Sequence, residues 1–198
     1  MIPPNLASAA GNARSLIMAR WLSVLGLMIL LAAPVARADQ TDPRLDPLFE
    51  RLKAAPNAEA AAPIEGAIWA IWIDTEDPAA EQLMVTGLSA MRAGLLDIAL
   101  LSFDRLVVEK PDFAEAWNKR ATVHFLRGEF TQSLADIDHT LALEPRHFGA
   151  LSGLGMIRAA QGQASAAADA FYRALEIYPT LRGARQQLKR LGRQEQAI

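Results

Sequence analysis

The stretch PDFAEAWNKRATVHFLRGEFTQSLADIDHTLALEP, residues 111–145, begins and ends on a proline, and the same thirty-four-residue interval leads on to Pro179. Within it, Gly128 has counterparts at that interval in Gly94 and Gly162, and Ala121 has them in Gly87 and Gly155. Three series in phase establish an internal repeat, and a fixed period of this size marks an array of like supersecondary units. Each marker has a mechanical role. Proline lacks the N–H and clashes with the preceding turn, so Pro111, Pro145 and Pro179 end helices. Gly94, Gly128 and Gly162 can take the left-handed conformation that closes a helix C-terminus. The small residue at 87, 121 and 155 lets a neighbouring helix come close. Between these points the apolar spacing is helical, as in Leu95, Ala99, Phe103 and Leu106, and again in Ala164, Ala167, Phe171 and Ala174. One such hairpin cannot bury both of its faces, so neighbours must stack and share a core.

These residues resemble the tetratricopeptide repeat, whose pattern runs Trp, Leu-Gly, an aromatic, a turn Gly, Ala, Phe, Ala and Pro. The unit 114–147 shows Trp117, Ala121, Gly128, Phe130 and Pro145. The unit 148–181 shows Leu154-Gly155, Gly162, Ala167, Phe171, Ala174 and Pro179, and the unit 80–113 shows Gly87, Gly94, Ala99, Phe103 and Pro111. The resemblance implies an all-α fold: a right-handed α-solenoid of antiparallel helical hairpins over residues 80–179, with capping helices at both ends. The middle unit departs from the pattern. Arg120 replaces Leu, His124 replaces the aromatic, and Ser133 and Thr140 replace Ala. A buried charge without a partner is very costly, so Arg120 is expected to pair with Asp136 or Asp138 across its hairpin.

Outside the repeats, residues 39–79 read as a helical hairpin, a degenerate repeat that caps the array. Its first helix carries Leu45, Leu48, Phe49 and Leu52, and its second, Ala60 to Ile73, carries Ile64, Ile68, Trp69, Ile71 and Trp72. The two tryptophans lie three apart on one face and read as core rather than as a ligand cage. Residues 180–198 read as a basic capping helix, with Leu188 and Leu191 packing on the last repeat.

Residues 1–38 hold no acidic side chain. Arg14 and Arg20 precede an apolar run from Trp21 to Ala33, followed by Pro34 and Ala36-Arg37-Ala38. This is the form of a cleavable secretory signal, cut after Ala38. The run is shorter than the roughly 20 apolar residues of a membrane span. Met18, just ahead of Trp21, reads as the initiator. With no cysteine in the chain, neither a disulfide nor a lipid on cysteine is available, and a periplasmic location is expected. Removing three of the twenty basic residues and none of the twenty-two acidic ones leaves the exported part at −5. Five of the remaining cations lie in the last nineteen residues, leaving an acidic body that is unsuited to nucleic acid.

No catalytic motif is present, and His124, His139 and His147 share no metal-ligand spacing. Nothing calls for a cofactor or a metal, and no enzyme activity is expected. In the resembled family, the first helices of successive repeats line a concave groove that holds a peptide. By register, that groove would be lined by Met84, Leu88, Met91 and Arg92, then Glu115, Asn118, Lys119, Thr122 and Phe125, then Ser152 and Met156, and finally Gln186, Gln187 and Arg190 on the last helix. Gly149 and Gly153 would leave the third-repeat floor open, and Lys119 beside Asn118 would suit a peptide carboxylate. The chaperone-binding dicarboxylate clamp of the family is not expected, because of its five positions (Met84, Leu88, Lys119, Gly149 and Gly153) only Lys119 fits. The expected role is a periplasmic scaffold or adaptor that binds another envelope protein or peptide in the groove. The alternative is an accessory or oligomerisation subunit that makes contact through the apolar N-terminal hairpin.

Overall fold

The structure, a computed structural model, describes residues 40–195. The segment read as a signal, with its cleavage point after Ala38, lies outside those residues. The described residues form an all-α solenoid of nine helices: α1 (Leu45–Ala54), α2 (Ala58–Ile73), α3 (Pro78–Arg92), α4 (Leu96–Glu109), α5 (Ala114–Leu126), α6 (Phe130–Leu143), α7 (Phe148–Ala160), α8 (Ala164–Ile177) and α9 (Arg182–Glu195). None of them is long and apolar enough to cross a membrane.

Helices α3–α4, α5–α6 and α7–α8 are the three repeat hairpins. Gly94, Gly128 and Gly162 close their first helices at φ +73°, +74° and +73°. The reversal lets the amides of Leu95, Glu129 and Gln163 donate back to the carbonyls of Ala90, His124 and Arg158 at 2.8–2.9 Å, satisfying groups that a helix end leaves bare. A Cβ on Gly128 would meet no atom of the described residues within 4 Å, so substitution there tests backbone strain. Gly128→Val is expected to destabilise the fold by about 1–3 kcal/mol. A thermal melt with an unchanged midpoint would contradict this account of the turn.

The small-residue positions are contact points. A Cβ on Gly87 would lie 2.5 Å from the Phe103 ring, and one on Gly155 would lie 2.6 Å from Phe171. The middle repeat solves the same crossing differently: Ala121 replaces glycine and Ile137 stands where the other repeats have phenylalanine, and both are buried in one cluster. The extra methyl on one helix is matched by a smaller side chain on the other. Ser133 and Thr140, the other departures, bury their hydroxyls by donating to the carbonyls of Ala121 (2.7 Å) and Asp136 (2.9 Å). Arg120 does pair with Asp136, through Nε at 2.8 Å and Nη2 at 2.7 Å. It also donates to Asp104 on α4 at 2.9 Å, so one guanidinium ties the first repeat to the second. Asp138 is exposed.

The first helices α3, α5, α7 and α9 pack in succession along one side and form the inner face. At the C-terminal end, Ala184 and Leu191 of α9 are buried against Ala167 and Phe171, with Leu188 partly buried beside them.

The N-terminal hairpin lies elsewhere than expected. It does not stack before the first repeat as an end cap; it folds back over the array. Ahead of α1, Gln40 donates to the Asp112 carbonyl at 2.8 Å, in the loop between the first and second repeats. On α1, Asp46 accepts from Arg146 at 2.6 Å, in the loop between the second and third, and Arg146 lies 4.2 Å from the centre of the Phe49 ring. Helix α2 then returns in the opposite sense across the first helices. Glu65 accepts from Tyr178 Oη at 3.0 Å, Trp69 packs on Phe148, and Ile73 reaches the core of the first repeat. The physical reason is the composition of α2. A helix that is apolar nearly all round needs cover on more than one side. Here α1 covers one side and the inner face of the array covers the other. An end cap would leave the second side in water.

Candidate functional site on the inner face

Where α2 crosses α5 and α7, a buried polar cluster sits under two tryptophans. Glu115, on the first turn of α5, is 1 % exposed, and His147, just before α7, is fully buried. His147 Nδ1 accepts from the amide of Ala150 at 3.0 Å and so caps the N-terminus of α7. That leaves Nε2 to carry the proton, and it donates to Glu115 Oε2 at 2.9 Å. Asn118 Nδ2 donates to the same oxygen at 2.9 Å, while Lys119 Nζ lies 2.6 Å from Oε1. Burial pushes the Glu115 carboxyl up, but the Lys119 charge and the His147 N–H more than offset it, and the group is held below the usual glutamate range. From the hairpin, Trp72 stacks on the His147 ring at 4.2 Å between centroids. Trp69 meets His147 edge-on at 5.5 Å, and the Lys119 ammonium sits 4.8 Å from the Trp69 ring.

This arrangement corrects two expectations. Lys119 is not a free cation awaiting a peptide carboxylate; its charge is used on Glu115, and 18 % of its side chain reaches solvent. Nor does Gly149 leave an open floor, because Trp69 fills that space. A Cβ on Gly149 would stand 2.8 Å from Trp69 Cη2. Gly153 meets only Ile137 Cδ1, at 3.4 Å, and stays open.

The other candidate residues separate into groups. Asn118, Thr122, Phe125 and Met156 come together with Gly149 and Gly153 around a cavity of about 70 Å³ between α5 and α7. Within this group, Thr122 Oγ1 donates to the Asn118 carbonyl at 2.9 Å. Ser152 stands nearby on α7, with its hydroxyl turned onto the Phe148 carbonyl at 2.7 Å. Met84 is not a groove surface: it is 1 % exposed and belongs to the core of the first repeat, with Leu88 and Met91 packed against that core. Arg92, exposed at the end of α3, donates to Ser89 at 3.2 Å, and Arg190 is exposed on α9. Neither is brought to the cavity.

Register placed Glu115 on the inner face, but sequence reasoning did not pair it with His147. The available signal was a glutamate on the first turn of one first helix and a histidine just ahead of the next. Among the described residues, no group of three His, Asp or Glu could hold a metal ion.

A family model for the tetratricopeptide repeat matches residues 85–138 and 127–181. A TPR repeat-containing protein of Rhizobium etli is 38 % identical over 148 residues, which is 75 % of this chain and 72 % of that protein. A match of that length cannot fit between Val85 and the C-terminus, so it reaches upstream over the whole of α2. The small glutamine-rich tetratricopeptide repeat-containing protein 2 of Saccharomyces cerevisiae is 29 % identical over 98 residues, or 50 % of this chain and 28 % of that one. Among solved structures, the first TPR of Spaghetti (RPAP3) bound to an HSP90 peptide superposes with TM-score 0.57 at 24 % identity, covering 60 % of this chain and 94 % of that one. The Sgt2 TPR domain from Aspergillus fumigatus superposes with TM-score 0.57 at 18 % identity, covering 61 % and 81 %.

Proposed function

This chain belongs to the tetratricopeptide-repeat family, and on that premise we propose that it is an exported, non-catalytic scaffold that binds another envelope protein on the inner face of its array. The observation that carries the reading is the cavity between α5 and α7, lined by Phe125, Met156, Thr122 and Gly153. It is concave and largely apolar, with a few polar groups at its rim, which is the form of a site that takes one or two side chains of a partner. Met156 is 38 % exposed there, and its unbranched thioether adapts to varied shapes.

The neighbour bound to an HSP90 peptide holds an acidic ligand. On this inner face the one lysine at the crossing is already neutralised by Glu115, so an apolar or amphipathic segment suits it better than an acidic tail. Contact through a free apolar hairpin has less support, because Leu45, Phe49, Leu52, Ile68 and Trp72 are buried within the molecule. Export rests on the basic lead, the short apolar run and the Ala36-Arg37-Ala38 triplet.

Two measurements test the reading. Intact mass of the protein recovered from an expressing bacterium's periplasm should correspond to a start at Asp39; retention of the preceding residues would refute cleavage there. In affinity capture from envelope extract, Gly153→Trp, which fills the cavity, should weaken capture of the partner at least tenfold. A tenfold loss corresponds to about 1.4 kcal/mol. Undiminished capture by a folded Gly153→Trp protein would remove the cavity from the function.

A further inference from the structure

We infer that the α1–α2 hairpin is a displaceable internal occupant of the groove, and that the partner of this scaffold is a helix of the same chemistry as α2. That chemistry is two aromatic residues three apart, with a carboxylate one turn before the first, as in Glu65, Trp69 and Trp72. The inference rests on the scaffold reading above and specifies the ligand.

Most of the array's core is built without the hairpin. The buried clusters of the second and third repeats contain no hairpin residue, and that of the first is touched only by partly buried Ile73. The hairpin has its own cluster, to which the array contributes Phe148 and Tyr178 as buried members. The two parts meet as a helix and a groove, and i, i+3, i+4 anchors are the usual grammar of a helix held in a groove.

The groove is shaped for this ligand. Gly149 lacks the Cβ that would strike Trp69. His147 presents a flat ring to Trp72, fixed by its bonds to Ala150 and Glu115. Lys119 offers its charge to the face of Trp69, and Tyr178 donates to Glu65.

The occupant is also held incompletely. Among the described residues Trp72 Nε1 is buried without an acceptor, a cost that release into water removes. At the rim the hairpin is fastened by Gln40 on Asp112 and by Asp46 on Arg146, both partly solvated. The second is an ion pair whose carboxylate is largely in water, and exposed pairs contribute little. Residues 74–77 link α2 to α3 outside any helix, so the hairpin can leave while Asp77 still caps α3 by accepting from Ala79. An internal ligand lowers the apparent affinity of any competitor in proportion to the time it occupies the site. Weakening its grip must therefore strengthen binding in trans.

The test uses the full exported chain and, as probe, a labelled peptide of residues 58–73. In native-state hydrogen exchange, the amides of α1 and α2 should exchange together at least a hundredfold faster than those of α6, the signature of a separate opening unit. Equal protection of the hairpin and α6 would overturn the inference. In titrations, Trp72→Ala should bind the peptide at least tenfold more tightly than the unmodified chain, because its own helix competes less well. Equal or weaker binding by the variant would also overturn it. The hydrogen-exchange arm needs no variant, so it stands even if Trp72→Ala fails to fold. Uniform exchange together with capture that is lost in Gly153→Trp would sink the internal-ligand inference and leave the scaffold reading intact. Capture unaffected by Gly153→Trp would sink the scaffold reading itself.

Discussion

Glu115→Ala is expected to destabilise the protein by about 3 kcal/mol, at the lower end of the cost of breaking a buried ion pair. The carboxylate accepts from His147 and Asn118 and pairs with the Lys119 charge. Its loss leaves buried donors unsatisfied, and each costs about 1–3 kcal/mol when no water replaces the partner. Lys119 can turn its ammonium to solvent, which keeps the total from rising further. The change also carries a pH signature. In the folded chain the Glu115 carboxyl titrates below its ordinary value of 4.5. Its contribution is therefore complete above that value and is lost as the pH falls from there through the folded value. The melting midpoint of the unmodified protein should fall as the medium is acidified below about pH 4.5, and that of Glu115→Ala should fall less steeply. Some slope will remain, because hydrogen bonding from Lys110 holds Asp77 low and hydrogen bonding from His124 holds Glu129 low. Parallel acid profiles for the two proteins would show that Glu115 is not a stabilising carboxylate.

Gly155→Leu is expected to be about as damaging, for an opposite reason. Leucine is the better helix former by nearly 1 kcal/mol, so propensity alone predicts a gain. The new Cβ, however, would stand 2.6–2.8 Å from three atoms of the Phe171 ring. Phe171 is 1 % exposed within a cluster that includes Ala167, Ala184 and Leu191 and has nowhere to go. Overpacking of this kind costs typically 1–3 kcal/mol, and about 3 kcal/mol is expected here, or roughly 6–12 °C in the midpoint. The diagnostic result is a double change. Gly155→Leu with Phe171→Ala should be less harmful than the sum of the single changes, because removing the ring relieves the clash. Strict additivity would mean that the two side chains do not compete for the same space.

The same crossing shows how far pattern reading reaches. The phase of Gly87, Ala121 and Gly155 identified a helix contact, and the repeat places Phe103, Ile137 and Phe171 at a matching interval. The compensation in the middle repeat, alanine against isoleucine, was therefore legible in the sequence. The positive φ at Gly94, Gly128 and Gly162 was legible too, since local backbone geometry depends on residues near in the chain. Arg120 was half legible. Its need for a carboxylate follows from the energetics of a buried charge, and Asp136 lies within its own hairpin. Asp104 comes from the preceding repeat.

What the sequence by itself determined, then, is everything set by the thirty-four-residue period: helices, turns, the stacking of three hairpins, and a first-helix face that bears Asn118, Lys119, Thr122, Phe125 and Met156. The tertiary structure alone decided what covers that face. Residues 39–79 lie outside the period, so register gives them no partner: the apolar composition of α2 demands cover on more than one side but does not say which surface supplies it. The choice depends on whether the shape of α2 matches the space between α5 and α7. That match is made by residues far apart in the chain: the missing Cβ of Gly149 beneath Trp69, and the flat face of His147 beneath Trp72. The burial of Glu115 and the neutralisation of Lys119 are consequences of the same crossing, because water leaves that part of the face only when the hairpin lies over it.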